Sequence, residues 1–381
     1  MPPTDPALNA HEKWMAKCIS LAKRGQGHAS PNPLVGSVLV DEQGNELGVG
    51  WHEVYGSAHA ERNAVADAES RHNAAALKKA TLYVNLEPCS HYGKTPPCAE
   101  LVIEKRIPRV VIGMVDPSKK VSGRGIKMLQ EAGVEVCVGV LQAACERLNE
   151  PFTQHQQTGR PLVTLKMAQT LDGQIATATG DSQWVSGAGS RKLVHHWRAT
   201  LDAVLVGRGT ALADNPSLTV RHVDGRQPYR IVLDRTGSLP ASMHLFSDEH
   251  AGKTIAVTAS AAKPAYANQL QQAGGELIHA PVTDGKLNLL EVLQLLGKST
   301  NHRKGLQTVL VEAGPGLATA LFQKNLIDRF YLFIAPKLVG KGTPTLHGLN
   351  INLMKDAYQF AASEWQPVGE DMLFKGYRRA F

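Results

Sequence analysis

The fold is decided by one stretch, Asn85-Leu86-Glu87-Pro88-Cys89-Ser90-His91-Tyr92-Gly93-Lys94-Thr95-Pro96-Pro97-Cys98. The apolar run 81–86 reads as a buried strand, and 99–105 as a short helix. Each cysteine thus follows a proline where one element gives way to the next. Upstream, His59-Ala60-Glu61 opens a predicted helix over 58–69. One histidine and two cysteines make three ligands for a tetrahedral zinc and leave the fourth position to water, which is the pattern of a catalytic site. His59 and Cys98 both fall at predicted helix N-termini, where the positive end of the dipole favours a thiolate. Glu61 lies two residues from the ligand, within reach of a water whose pKa zinc lowers to about 7, and is the candidate proton carrier.

His-x-Glu followed by Pro-Cys and a second Cys is the signature of zinc nucleobase deaminases. Eight residues separate Cys89 from Cys98, where nucleic-acid deaminases have two. The longer insert reads as a wall of a substrate pocket.

Working outward, Trp14, Met15, Cys18, Ile19, Leu21 and Ala22 recur at helical spacing, and Gly25 follows as a stop. Strands are expected at 34–40, 109–114 and 134–140, and a helix at 123–132. The alternation predicts a three-layer α/β domain with a largely parallel sheet over 1–148. Residues 149–161 are polar, with two prolines and no apolar period, and read as a linker. A second α/β domain is expected over 162–381. Its strands are placed at 162–166, 203–206, 229–233, 254–258, 308–311 and 330–334, and its helices at 189–198, 287–296 and 317–324.

Composition agrees. At 381 residues, 43% hydrophobic and 20% charged, the chain is neither collagen-like nor mainly disordered. Net charge is +7, from 41 Lys+Arg against 34 Asp+Glu. That suits phosphorylated small molecules, and no basic block points to nucleic acid. The first ten residues carry no secretory h-region, and no apolar run is long enough to span a bilayer, so a cytoplasmic enzyme is expected. Five cysteines without a signal peptide argue against a disulfide framework.

The run from Asn85 to Cys98 resembles the Glu-Pro-Cys-Ser-His…Thr-Pro-Pro-Cys motif of the bifunctional riboflavin-biosynthesis deaminase/reductases. Ser30-Pro31-Asn32-Pro33-Leu34-Val35-Gly36 and Gly50-Trp51-His52 resemble that family too. The resemblance implies a cytidine-deaminase-like first domain acting on 2,5-diamino-6-ribosylamino-4(3H)-pyrimidinone 5′-phosphate. Around the zinc ligands, Asn32 is a candidate for bonding the sugar or ring. His52, His91 and Lys94 are candidates for lining the ring and phosphate pocket. A turn or surface role suits each as well, Asn32 above all, between two prolines.

The second half has no G-x-G-x-x-G. An apolar strand runs instead into Glu312-Ala313-Gly314-Pro315-Gly316-Leu317 and a helix, which makes an anion site of free amides. The runs 165–173, 180–184 and 214–221 resemble the family's NADPH-dependent reductase half, whose fold is similar to dihydrofolate reductase. The resemblance implies that Ala168, Trp184, Thr210, Asp214 and the turn Gly314, Pro315, Gly316, Leu317, Ala318, Thr319 and Ala320 contact NADPH. It likewise implies that Ser182, Arg198, Leu218, Arg221 and Glu312 contact the phosphosugar. Arg198 and Arg221 offer planar forks that match a phosphate, and either could otherwise be an ordinary exposed arginine; Lys166, on the domain's first strand, is a weaker candidate for a place beside the ring-opened sugar.

The expected cofactors are Zn2+ and NADPH. The expected partners are a small phosphorylated pyrimidine and further copies of the chain in a homo-oligomer, with no nucleic acid and no membrane. Two rival readings stand beside this one. A tRNA-type zinc deaminase with an accessory domain shares the zinc motif, and a zinc-stabilised binding module would close the site with a fourth ligand, for which His91 is the nearby residue.

Overall fold

The computed structural model describes residues 6–72, 75–92, 96–118, 121–259 and 264–380. The chain divides into two compact units, one ending at Thr158 and one running from Gly159 to Ala380. No helix among the described residues is long and apolar enough to cross a membrane.

The first unit runs α1 (Pro6–Ala22), β1 (Gly36–Val40), β2 (Glu46–Trp51), α2 (Ala60–Arg71), β3 (Thr81–Val84), α3 (Cys98–Glu104), β4 (Arg109–Ile112), α4 (Arg124–Glu131), β5 (Glu135–Val138), α5 (Gln142–Leu148) and α6 (Glu150–Thr158). Its sheet is ordered β2-β1-β3-β4-β5. Only β3, β4 and β5 run parallel, while β1 is antiparallel to both β2 and β3, so the sheet is mixed rather than largely parallel. The sequence reading missed β2, because Glu46-Leu47-Gly48-Val49-Gly50-Trp51 carries two glycines, and glycine is depleted in strands. Here the glycines serve packing. A Cβ on Gly50 would stand 2.4 Å from the Ala60 carbonyl and the Ala64 amide, and one on Gly48 2.4 Å from the Ala64 carbonyl. Glycine therefore lets α2 lie against the backbone of β2. Met15, Cys18, Val38, Leu82 and Ile112 close the core.

Most of the stretch expected as a linker is helix. α6 buries Phe152 and Gln154 and stays with the first unit. Pro151 sits in its first turn, where the missing N–H costs no helical bond. Asn149 is also structural: its amide accepts from Leu34 N at 2.8 Å and donates to Leu34 O at 3.0 Å.

The second unit runs β6 (Leu162–Thr170), β7 (Gln174–Thr177), α7 (Ala188–Thr200), β8 (Ala203–Gly207), α8 (Arg208–Asp214), β9 (Tyr229–Leu233), α9 (His244–Ser247), β10 (Thr254–Ala259), α10 (Ala267–Gln272) and β11 (Glu276–Ala280). It continues with β12 (Val282–Thr283), β13 (Lys286–Leu287), α11 (Leu289–Gly297), β14 (Thr308–Glu312), α12 (Pro315–Gln323), β15 (Arg329–Ala335), β16 (Gly342–Pro344), β17 (Ala362–Val368) and β18 (Asp371–Tyr377). Among the described residues a nine-stranded sheet has the order β11-β10-β9-β8-β14-β6-β15-β18-β17. It is parallel from β11 to β15, and β18 and β17 are antiparallel additions. The six expected strands are its centre. β17, which contains Pro367, lies at the edge, where the missing N–H is tolerated. The carboxyl ends of β8, β14 and β6 adjoin, the usual place for a ligand in an open parallel sheet.

Candidate active sites

In the first unit His59 is the N-cap of α2, with φ −74° and ψ 162°, and Glu61 lies in the first helical turn. Cys98 is the first residue of α3, and Cys89 lies on the connection out of β3. The three ligand atoms lie within 4.8 Å of one another. His59 Nδ1 is 3.5 Å from Cys89 Sγ and 3.4 Å from Cys98 Sγ. A nitrogen and a sulfur bound tetrahedrally at about 2.1 and 2.3 Å stand about 3.6 Å apart, so donors and spacing fit zinc. Among the described residues these three converge without a fourth, and His91 is exposed on the insert. That is an open site, unlike the closed one a binding module requires. The Cys89 thiol is lowered to about 4, chiefly by the hydrogen bond from Cys98 and, against burial, by His59. Glu61 is buried beside the ligands, and burial followed by the Cys89 charge raises its carboxyl above the ordinary range.

Surrounding residues hold this arrangement. Glu87, two residues before Cys89, is buried and accepts four backbone N–H groups, from Asp116, Gly123, Gly125 and Ile126, at 3.1, 2.9, 2.9 and 3.3 Å. It ties the ligand connection to the start of α4. The sequence reading passed over it, since its partners lie some thirty residues or more downstream. Arg62 does similar work from α2, its Nη2 donating to Pro96 O at 2.9 Å. His52 Nδ1 donates to Ala58 O at 3.0 Å, so Nε2 accepts from Asn32 Nδ2, also at 3.0 Å. Burial lowers the His52 pKa, consistent with a neutral ring. That ring meets the His59 ring edge-on at 5.6 Å. Asn32 and His52 are thus brought to the ligands with the Asn32 carbonyl oxygen left over. Lys94 lies outside the described residues. Asp116, on the loop that follows β4, was not singled out from sequence. It is buried and raised to about 6, first by burial, and it feels the charges of Glu87, His91 and Cys89.

In the second unit Gly314 caps α12 with no side-chain cap bond, and Pro315 opens the helix. Gly314 N donates to Thr210 Oγ1 at 3.2 Å, which joins two of the expected cofactor residues. A Cβ on Gly316 would meet nothing within 4 Å, and one on Gly314 only Thr210 Oγ1 at 3.6 Å. Space is therefore open beside the first turn of α12, where the Gly316 and Leu317 amides precede the first helical acceptor, a cradle that fits a dinucleotide phosphate. Ala318 and Thr319 turn inward, and the Thr319 hydroxyl donates to His347 O at 2.8 Å. Trp184 is exposed, with the Arg191 guanidinium 4.8 Å from its ring centroid. Ser182 and Asp214 are exposed, and Ala168 is half-buried on β6.

Arg198 differs from the expectation of a free phosphate fork. It is buried and donates to Glu312 through Nε at 2.7 Å and Nη2 at 3.0 Å, and to Thr219 O through Nη1. Burial works to raise the Glu312 carboxyl, but the charges of Arg198 and Lys166 outweigh it and hold it at about 2. Lys166 pairs with Glu312 across β6 and β14, and burial lowers its ammonium pKa. Arg221 is exposed beside Thr219. Its backbone N–H donates to His195 Nδ1 at 3.1 Å, and burial with nearby Arg198 lowers His195 to about 4. Leu218 packs its side chain into the core, with its backbone in the left-handed region at φ 54°.

Comparison with known proteins bears on both units. Residues 8–114 match the cytidine and deoxycytidylate deaminase zinc-binding region, and residues 161–374 match the RibD C-terminal domain. The riboflavin biosynthesis protein RibD of Aquifex aeolicus is 38% identical over 369 residues, covering 96% of this chain and 98% of that protein. Acinetobacter baumannii RibD has a solved structure with TM-score 0.85 and 33% identity, covering 98% of this chain and 100% of that one. A diaminohydroxyphosphoribosylaminopyrimidine deaminase/5-amino-6-(5-phosphoribosylamino)uracil reductase from Thermotoga maritima gives TM-score 0.83 at 34% identity, with coverage of 97% and 99%. The match over 161–374 gives the second domain its function, which displaces the nucleic-acid deaminase reading.

Proposed function

The chain belongs to the RibD family, the zinc deaminase/NADPH-dependent reductases of riboflavin biosynthesis, and on that premise we propose which of its residues carry each step. The deaminase occupies the first unit, with α6 as its last helix, and the reductase the unit from Gly159 onward. The substrate is 2,5-diamino-6-ribosylamino-4(3H)-pyrimidinone 5′-phosphate. His59, Cys89 and Cys98 hold zinc, which as a Lewis acid makes water a competent nucleophile at neutral pH. Glu61 takes the proton of the attacking water and delivers it to the departing ammonia. Asn32, oriented by His52, bonds the ring or sugar, and His91 and Lys94 line the outer pocket. The observation that carries the deaminase assignment is the open three-ligand group with a buried carboxylate beside it.

In the reductase, bound NADPH would supply a hydride to C1′ of the opened ribosyl group, with solvent water supplying the proton to the adjoining heteroatom, which gives the ribityl chain. The cradle at Gly314, Pro315, Gly316 and Leu317 takes the cofactor phosphates, with Thr210 bracing Gly314. Ala168, Trp184, Asp214 and the rest of the turn to Ala320 complete that site. Glu312, kept ionised by Arg198, faces the ribose. Arg221 takes the substrate phosphate, and Ser182 and the Leu218 backbone bound the same pocket. These groups bind, orient and exclude water, and no covalent nucleophile is needed. The enzyme works in the cytoplasm as a homo-oligomer, which cell fractionation and sedimentation velocity test.

Incubation with the diaminopyrimidinone phosphate tests the whole reading. Ammonia should appear without NADPH, and NADPH should be consumed only after deamination. Consumption without prior deamination, or no ammonia from zinc-loaded protein, would overturn it.

A further inference from the structure

Thr219, Val220 and Arg221 lie in a segment that is neither helix nor strand, yet side chains hold its backbone much as a neighbouring strand would. Arg198 Nη1 donates to Thr219 O at 3.0 Å. Gln227 Oε1 accepts from Val220 N at 2.7 Å, and Gln227 Nε2 donates to Val220 O at 3.0 Å. His195 Nδ1 accepts from Arg221 N at 3.1 Å. A backbone amide only donates, so Nδ1 carries no proton, and the ring is the neutral tautomer protonated on Nε2. Burial, then the charges of Arg198, His222 and Arg221, favour that neutral form against the opposing pull of Glu312, and bring the pKa to about 4.

One helix supplies most of this hold. His195 and Arg198 share the buried face of α7 at i, i+3 spacing. Ala199 extends that face against Gly225, where a Cβ would stand 2.6 Å from Ala199 Cβ. Arg226 Nη2 donates to the carbonyl of Leu201, the C-cap of α7, at 2.7 Å. The run from Thr219 to Gln227 is thereby laid along α7. Arg221 itself is exposed, and its guanidinium has a long contact to Thr219 Oγ1, at 3.4 Å. Where that fork stands is therefore set by its backbone. Arg198 is already engaged by both Glu312 oxygens, which leaves the substrate phosphate to Arg221.

We propose that His195 and Gln227 are positioning residues of the reductase, which set its affinity for the 5′-phosphate of the substrate by fixing the backbone from which Arg221 reaches. The inference rests on the assignment of Arg221 to that phosphate. Steady-state kinetics of the full chain test it, following NADPH oxidation with the deaminated substrate and with the same compound stripped of its phosphate. His195→Ala and Gln227→Ala should each raise the KM of the phosphorylated substrate about two- to tenfold, as expected for lost hydrogen bonds. The KM values for NADPH and for the phosphate-free compound should stay within about twofold of wild type. His195→Asn, whose Oδ1 accepts where Nδ1 did, should restore the KM. Adding His195→Ala to Arg221→Ala should raise the KM no further than Arg221→Ala alone, within about twofold, because an anchor does nothing for a side chain already removed. An unchanged KM in both alanine variants, equal losses with and without the phosphate, or an additive double variant would overturn the proposal. Should His195→Ala fail to fold, Gln227→Ala, at a half-buried loop position, decides the matter by the same comparison. If Arg221→Ala itself leaves the KM of the phosphorylated substrate unchanged, the phosphate assignment beneath the proposal fails instead.

Discussion

Gly50 offers a test of how packing in the first unit places its chemistry. In Gly50→Ala the new methyl would stand 2.4 Å from Ala60 O and Ala64 N, against ordinary contact beginning near 3.4 Å. Both atoms are backbone, so no side chain can swing aside, and α2 must retreat by about 1 Å. Overpacking of this kind costs about 1–3 kcal/mol. The retreat begins at the first turn of α2, which carries Glu61 and is capped by His59, while Cys89 rides on the connection out of β3 and Cys98 on α3. A displacement of about 1 Å between catalytic groups costs roughly 10²-fold in rate. Gly50→Ala should therefore lower kcat for ammonia release about a hundredfold and reduce zinc content after mild dialysis. NADPH oxidation with already deaminated substrate should stay within about twofold of wild type, since reductase and zinc site belong to different units. A coupled ammonia assay, metal analysis and NADPH absorbance read the three quantities. Unchanged deamination with full zinc would refute the claim that glycine at this position sets the approach of α2.

Other expectations concern single groups. Cys89→Ser or Cys98→Ser should lose zinc and ammonia release together, checked by metal analysis. Glu61→Gln should keep one zinc per chain yet deaminate roughly 10²–10⁴-fold more slowly, and an active variant would remove its proton role. Arg221→Ala should raise the substrate KM roughly ten- to hundred-fold and move the NADPH KM much less, by steady-state kinetics. His195 has a folded pKa of about 4 against an ordinary 6.5, so the unfolded chain takes up its proton first as pH falls. Reductase-domain stability should be fully present above about pH 6.5 and decline toward pH 4, with the slope reduced in His195→Asn; flat melting temperatures across that window would contradict the buried neutral ring.

How much was legible in the sequence depended on how local each feature is. The zinc ligands could be read because each sits at a proline or at a helix start, so neighbouring residues specify both backbone and chemistry. The Gly314 turn was readable for the same reason, a strand passing through glycines into a helix within a few residues. Central strands announced themselves as apolar runs buried on both faces. Where the reading failed, the deciding partner was remote. Gly48 and Gly50 argue against a strand until α2 lies on them. Pro151 looks like a breaker until it is seen in a first turn, and α6 looks polar until Phe152 finds its cover. Glu87 is unremarkable beside Cys89 until four amides from the far side of β4 close around it. Arg198 and Glu312, 114 residues apart, each resemble a ligand group in isolation, and only folding makes them partners. A side chain's type and its local backbone are written in its neighbours, but whether a charge meets substrate or another charge depends on which strand ends adjoin, and that order belongs to the tertiary structure.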